Sequence, residues 1–207
     1  MALTQDGLGL SHVDQARVLV ASGIRWIQLR IKNAGRDTWL AIASDVVAVA
    51  HDVGAIVTIN DSVEIALASG ADGAHLGSLD GAWDAARESL GPERVLGGTV
   101  HNECDARLAS ASGVLDYVGV GPFRFTATKR DLAPLLGLEG IVALLPLLGA
   151  LPAWAIGGIQ PSDLPALRDA GLHGVAVSAA LYSNNRVASN CKSFLAAWDA
   201  PNRVTHS

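Results

Sequence analysis

Ile27-Gln28-Leu29-Arg30-Ile31-Lys32 alternates apolar side chains with an amide, a guanidinium and an ammonium. In an extended strand successive side chains point to opposite faces, so Gln28, Arg30 and Lys32 share one face and Ile27, Leu29 and Ile31 the other. A surface strand alternates in the same way. The difference lies in the company it keeps, because several later segments end in polar residues at the same place relative to their apolar runs. That recurrence points to a ring of parallel strands with its chemistry gathered at one mouth.

Outward from this segment, a short opening strand near residues 2–5 is followed by strand-like runs at 26–30, 56–60, 73–77, 95–100, 117–121, 153–157 and 174–178. Helical periodicity fills the intervals, as in Val13, Ala16 and Val20, then Leu40, Ile42, Val46 and Val49, then the shorter Val63, Ile65 and Leu67. Several helices lead into glycine before the next strand, at Gly23, Gly70, Gly113 and Gly171, which suits a left-handed C-cap. Alternating strands and helices imply parallel strands with right-handed crossovers, a rule that a closed barrel and an open doubly wound sheet both satisfy. Eight units in about 200 residues, with no G-x-G-x-x-G opening the first, favour the α/β (β/α)8 TIM barrel. One domain is expected over residues 1–200, with 201–207 as a loose C-terminal tail.

Composition narrows the function. Of 207 residues, half are apolar and 22 are glycine, which fits an α/β enzyme with many tight strand-to-loop turns. A formal charge of −5 without a long basic run argues against nucleic acid as a partner, but a few cations focused in a cleft still accommodate an anionic small molecule. Cys104 and Cys191 have no metal-ligand spacing, and residues 1–10 lack a signal-peptide pattern, so a reducing, cytoplasmic location is expected. The apolar run 141–156 holds 16 residues interrupted by Pro146, Gly149 and Pro152, too short for a span of about 20. It reads as the end of a buried helix, a turn and the next strand, and no membrane partner is expected.

The polar groups at the strand ends belong together. The second strand delivers Gln28, Arg30 and Lys32; the third ends in Asn60-Asp61; Asp80 follows the fourth; Thr99 closes the fifth after Gly97-Gly98. The sixth runs into Phe123, Arg124, Phe125, Thr126, Ala127, Thr128 and Lys129, the seventh into Gly157-Gly158-Ile159, and the eighth into Ser178-Ala179. Each has a plainer reading: Asn60-Asp61 equally suits an N-cap for the helix near Val63, Asp80 a cap for the helix at Trp83, and Gly157-Gly158 a tight turn. Their chemistry is nevertheless complementary. Asp61 and Asp80 are hard oxygen ligands of the kind that hold Mg²⁺, while Arg30, Lys32 and Lys129 suit a diphosphate. Glycine-rich turns after the last two strands suit a monophosphate on backbone amides.

With these residues assembled, the chain resembles the thiamine-phosphate synthase family from about residue 3 to residue 180. The motifs are Q-x-R-x-K at 28–32, I-N-D at 59–61, A-D-G-x-H-L-G-x-x-D at 71–80, G-V-G-P-x-x-x-T-x-T-K at 119–129 and A-I-G-G-I at 155–159. The resemblance implies that Gln28, Leu29, Arg30, Ile31, Lys32, Asn60, Thr99 and Lys129 contact a hydroxymethylpyrimidine diphosphate. It implies that Asp61 and Asp80 bind Mg²⁺, and that Thr126, Ala127, Thr128, Gly158, Ser178 and Ala179 surround a thiazole phosphate. The implied reaction joins the two substrates into thiamine phosphate and releases pyrophosphate, with CO2 if the thiazole is carboxylated. The departures are Ile31 where many members have Glu, Ser62 where many have Arg, Thr99 where many have Ser, and a serine one position early at Ser178.

The expected chemistry is dissociative: the departing diphosphate leaves a pyrimidinylmethyl cation that its own ring delocalises, with Arg30, Lys32 and Lys129 neutralising the leaving group. The rival readings are a thiazole tautomerase-like barrel and a non-catalytic phosphate-ligand sensor. His75, inside a strand, is expected to be a hydrogen-bonded structural residue rather than a base, and His101 shares the parity of Thr99. The five tryptophans are expected to pack, and Phe123 or Phe125 to serve as a lid over a substrate ring. A homo-oligomer is compatible with the sequence.

Overall fold

The computed structural model describes residues 1–77, 83–125 and 134–200. Its strands are β1 (Ala2–Leu3), β2 (Trp26–Leu29), β3 (Ile56–Asn60), β4 (Gly73–Leu76), β5 (Val95–Val100), β6 (Tyr117–Val120), β7 (Ala153–Ile156) and β8 (Gly174–Ala176). All eight are parallel and pair in chain order. The ring closes where Ala2 bridges Val177: the Leu3 N–H donates to the Val177 carbonyl at 2.8 Å and the Val177 N–H to the Met1 carbonyl at 3.1 Å. This decides between the two architectures in favour of the barrel.

The helices are α1 (His12–Ala21), α2 (Arg36–His51), α3 (Val63–Ser69), α4 (Trp83–Leu90), α5 (Glu103–Ser112), α6 (Gly137–Leu148), α7 (Leu164–Asp169), α8 (Ala179–Tyr182) and α9 (Val187–Asp199). Ser11, Ser62 and Asn102 begin α1, α3 and α5 by accepting the N–H of Asp14, Ile65 and Asp105, each worth about 1 kcal/mol. Gly70 and Gly113 end α3 and α5 at φ 73° and 66°, the left-handed cap that only glycine adopts without penalty. The apolar run resolves as read: α6 contains Pro146, stops at Gly149 and gives way to β7. Among the described residues no helix is long and apolar enough to cross a membrane.

Ring contacts fix which side chains face the lumen. β2 and β6 lie on opposite sides of the ring, so Trp26 and Tyr117 meet only across it, edge to face at 4.8 Å. Trp154 of β7 joins them at 5.3 and 5.2 Å. By alternation Gln28, Thr58, Asn60, His75, Gly97, Thr99 and Gly119 also face inward, while Ile27, Leu29, Val57, Ile59, Leu96 and Val118 face outward into the core beneath the helices. The inward glycines make room for the rings. A Cβ at Gly97 would stand 2.3 Å from Tyr117 Cζ, and one at Gly174 would stand 2.4 Å from Trp154 Nε1. Trp26 and Trp154 are therefore packing residues, as expected from sequence.

Candidate active site

Those singled-out residues that lie among the described ones collect toward one end of the barrel, the carboxyl ends of the strands. β2 stops at Leu29, so Arg30 and Lys32 stand on the loop beyond it and not on a continuous strand face. The alternation nevertheless persists: Gln28 is buried, Arg30 half-buried and Lys32 exposed, while Leu29 and Ile31 join the outer core at 0% and 8% exposure. The side chains of Leu29 and Ile31 point into the helix layer, so these two residues reach the mouth through backbone alone. Two residues after β1, unremarked in the sequence, hold this loop. Thr4 Oγ1 accepts the Arg30 N–H at 3.1 Å and Asp6 Oδ2 the Lys32 N–H at 2.9 Å. Their signal was polar spacing of two after the opening strand, the same signature that marked the other strand ends.

Asn60 ends β3 buried, with His75 as its register partner. Asp61 takes a left-handed backbone at φ 65°, uncommon outside glycine, with its N–H held by the His75 carbonyl at 2.9 Å. The helix cap read as an alternative role for Asn60-Asp61 belongs instead to Ser62, which leaves the Asp61 carboxylate out of the capping contact. Such backbone strain recurs at functional positions.

Gly97 and Gly98 lie inside β5 and not at its end, and Thr99 follows them facing the lumen. His75 Nε2 is 2.9 Å from Thr99 Oγ1 and His75 Nδ1 is 3.0 Å from the Tyr117 hydroxyl, so both ring nitrogens are engaged, as expected for a structural histidine. Burial pushes the Tyr117 phenol up, so it stays protonated. His101 ties the ends of β5 and β6 together, its Nδ1 donating to the Gly121 carbonyl at 2.6 Å.

After β6 the chain is fastened to the end of β7. Phe123 N–H donates to the Ile156 carbonyl at 2.8 Å and Arg124 N–H to the Gly157 carbonyl at 3.0 Å. A Cβ at Gly157 would stand 2.9 Å from Pro122 Cβ, and at Gly158 2.8 Å from Arg124 Cβ, with φ 92° and 64° besides. Close packing of the β6 loop thus accounts for both glycines. Phe123 is buried beneath the Arg124 guanidinium, 4.6 Å from its ring centroid, and is not a lid, whereas Phe125 is exposed.

Arg124 also forks onto Asp163, with a second nitrogen at 2.7 Å, an ion pair that the sequence reading missed because 39 residues separate the partners. The guanidinium, with help from the Gln160 N–H, holds the Asp163 carboxyl below the usual carboxylate range. Its stabilisation is therefore complete above about pH 4 and is lost as pH falls through the depressed folded-state value. Asp163→Asn is expected to cost about 1 kcal/mol at pH 7, since the guanidinium side is half-exposed and screened. The difference from the parent should vanish near pH 2 in urea melts followed by circular dichroism, and a difference that is constant with pH would contradict the assignment.

Ser178 precedes the four-residue α8, which begins at Ala179, and makes no side-chain cap. Asp80, Thr126, Ala127, Thr128 and Lys129 lie outside the described residues.

Fold and site together define a (β/α)8 barrel whose polar groups collect at the carboxyl ends of its strands, where barrel enzymes carry their chemistry. The family model described as thiamine monophosphate synthase matches residues 2–181, and the chain belongs to that family. It is 38% identical over 183 residues to a thiamine-phosphate synthase of Bacteroides fragilis, covering 86% of this chain and 89% of that one. It is 41% identical over 172 residues to one of Phocaeicola vulgatus, covering 81% and 82%. Among solved structures, a thiamine phosphate pyrophosphorylase from Pyrococcus furiosus superposes with TM-score 0.85 at 27% identity, over 95% of this chain and 93% of that chain.

Proposed function

We propose that the protein is a thiamine-phosphate synthase that joins 4-amino-2-methyl-5-hydroxymethylpyrimidine diphosphate to 4-methyl-5-(2-phosphoethyl)thiazole, or its carboxylated form. The observation that carries this reading is the placement of Gln28–Lys32, Asn60-Asp61 and Gly157-Gly158 at the ends of β2, β3 and β7 in a chain that the family model spans. Arg30, Lys32 and Lys129 bind the diphosphate and neutralise charge as it departs. Gln28 and Asn60 line the floor under the pyrimidine ring. Thr126, Ala127, Thr128, Gly158, Ser178 and Ala179 hold the thiazole phosphate, so that the thiazole nitrogen faces the carbon losing its oxygen.

Asp61 and Asp80 would hold Mg²⁺. Two carboxylates form the oxygen-only donor set that suits this ion while leaving positions for phosphate oxygens and water. The fixed left-handed backbone of Asp61 is consistent with a ligand held in place. Among the described residues no group of three or more His, Cys, Asp or Glu lies together to hold a metal, and Asp80 is outside them. The bound ion supplies charge stabilisation on the leaving diphosphate. With an exposed Cys104 and a buried Cys191, both free thiols, a cytoplasmic setting is part of the proposal.

Pyrophosphate release tests the reading, because it should require both substrates and Mg²⁺ together. Binding of both ligands without release would mark a sensor, and isomerisation of the thiazole alone a tautomerase. Lys129→Ala is expected to lower single-turnover rates more than about tenfold, the scale of one charge-stabilising donor. Unchanged rates would remove Lys129 from the site.

A further inference from the structure

We infer that Arg124, locked by Asp163, is a positioning residue that presets the backbone N–H groups of Gly158 and Ile159 for the phosphate of the thiazole substrate. The identity of that substrate rests on the proposed condensation; the orientation of the peptide planes rests on contacts within the chain.

Three consecutive peptide units after β7 take their direction from this one pair. The Gly157 carbonyl accepts the Arg124 N–H at 3.0 Å, the Gly158 carbonyl accepts from Arg124 Nη1 at 3.3 Å, and the Gln160 N–H donates to Asp163 Oδ2 at 2.7 Å. A trans peptide is planar and sets its N–H opposite its carbonyl. The peptides 157–158 and 158–159 are both trans. With their carbonyls turned to Arg124, the N–H groups of Gly158 and Ile159 point away from it as neighbouring donors at the carboxyl end of β7. Successive backbone N–H groups hold phosphate oxygens without help from a charged side chain.

The guanidinium has little freedom. It lies 4.6 Å from the Phe123 ring centroid, and its two terminal nitrogens fork onto Asp163, whose side chain is only 9% exposed. Nη1 carries two hydrogens, so in one planar geometry it serves both Asp163 Oδ2 and the Gly158 carbonyl. The approach needs glycine, because a Cβ at Gly158 would stand 2.8 Å from Arg124 Cβ and 3.1 Å from the Phe125 carbonyl oxygen. Two backbone bonds, from the Phe123 and Arg124 N–H groups to the Ile156 and Gly157 carbonyls, already fasten the β6 loop to β7. The Arg124 side chain adds what they lack, a hold on Gly158.

The donors are read directly by ¹H–¹⁵N NMR of the ¹⁵N-labelled protein titrated with 4-methyl-5-(2-phosphoethyl)thiazole. The Gly158 and Ile159 amide resonances should move downfield, and the thiazole alcohol without its phosphate should leave them in place. No binding of the phosphorylated thiazole, or saturable binding with neither amide moving, would overturn the inference. In calorimetry, Arg124→Lys keeps a charge beside Asp163 and both backbone bonds but loses the fork. It should weaken the thiazole phosphate about five- to tenfold, the worth of one hydrogen bond, and the pyrimidine diphosphate by less than about twofold. Asp163→Asn, which leaves the arginine without its charged partner, should show the same preference at about threefold. Equal losses for the two ligands, or no loss for either, in variants folded by circular dichroism would make Arg124 a structural tie alone and overturn the inference. Shifted amides in a wild type that binds both ligands without condensing them would instead defeat the proposed function and leave the preset donors standing.

Discussion

Asp61→Asn is expected to lower turnover by about a hundredfold or more, the scale on which enzymes lose a preorganised charge interaction. Asparagine is the appropriate replacement because the backbone here sits at φ 65°, which asparagine tolerates better than alanine. It also matches aspartate in shape, so the charge alone is removed. Stability should then stay within about 0.5 kcal/mol of the parent, as for a substitution that leaves packing and backbone intact. Asp61→Ala should lose the same activity and also some stability, because its Cβ gains nothing to offset the left-handed strain. Chelation of Mg²⁺ by EDTA should reproduce the loss in the parent enzyme, with recovery on adding the ion back. Full turnover in EDTA, or in Asp61→Asn, would remove the metal role.

Gly97→Ala carries the largest expected effect on stability. The new Cβ would stand 2.3 and 2.4 Å from Tyr117 Cζ and Cε1 and 2.6 Å from His75 Nδ1. None of these is the loose end of a flexible side chain. Tyr117 is wedged edge to face against Trp26 and Trp154, and His75 is tied to Tyr117 and Thr99. Overpacking a core commonly costs 1–3 kcal/mol, and a contact this short against locked rings places the cost at about 3 kcal/mol or above. Urea denaturation measures it. Gly9→Ala is the control, since nothing lies within 4 Å of a Cβ there and its φ is not left-handed. A Gly97→Ala protein as stable as Gly9→Ala would show that the lumen is loosely packed.

The strands were legible because each is an apolar run punctuated by glycine or a polar end, and 56–60 and 95–100 were read with the bounds that β3 and β5 take. The second strand was read one residue too long because the apolar-polar alternation of 27–32 outlasts the strand: Ile31 still packs into the outer core beneath the helices after pairing with β3 has stopped at Leu29. Barrel closure was legible in the count of eight strand-helix units, but the contact that makes it, Ala2 meeting Val177 from opposite ends of the chain, was not. The glycine count was read as turns, yet Gly97, Gly119 and Gly174 are strand residues that yield lumen space to Tyr117, Ile156 and Trp154. Local pattern carries no record of what lies across a barrel. For the same reason the contacts of His75 with Tyr117 and Thr99 and the Arg124–Asp163 fork were invisible, although every participant was in plain view. The site itself was legible as a set of polar strand ends, while the left-handed Asp61 and the capping role of Ser62 needed backbone geometry.

The proposed reaction joins two phosphorylated heterocycles at this barrel mouth. Incubation of the protein with pyrimidine diphosphate, thiazole phosphate and Mg²⁺, followed by mass spectrometry, should show thiamine phosphate accumulating in equal amount with pyrophosphate. Recovery of both substrates intact after many enzyme equivalents of time, from protein that is folded and binds them, would contradict it.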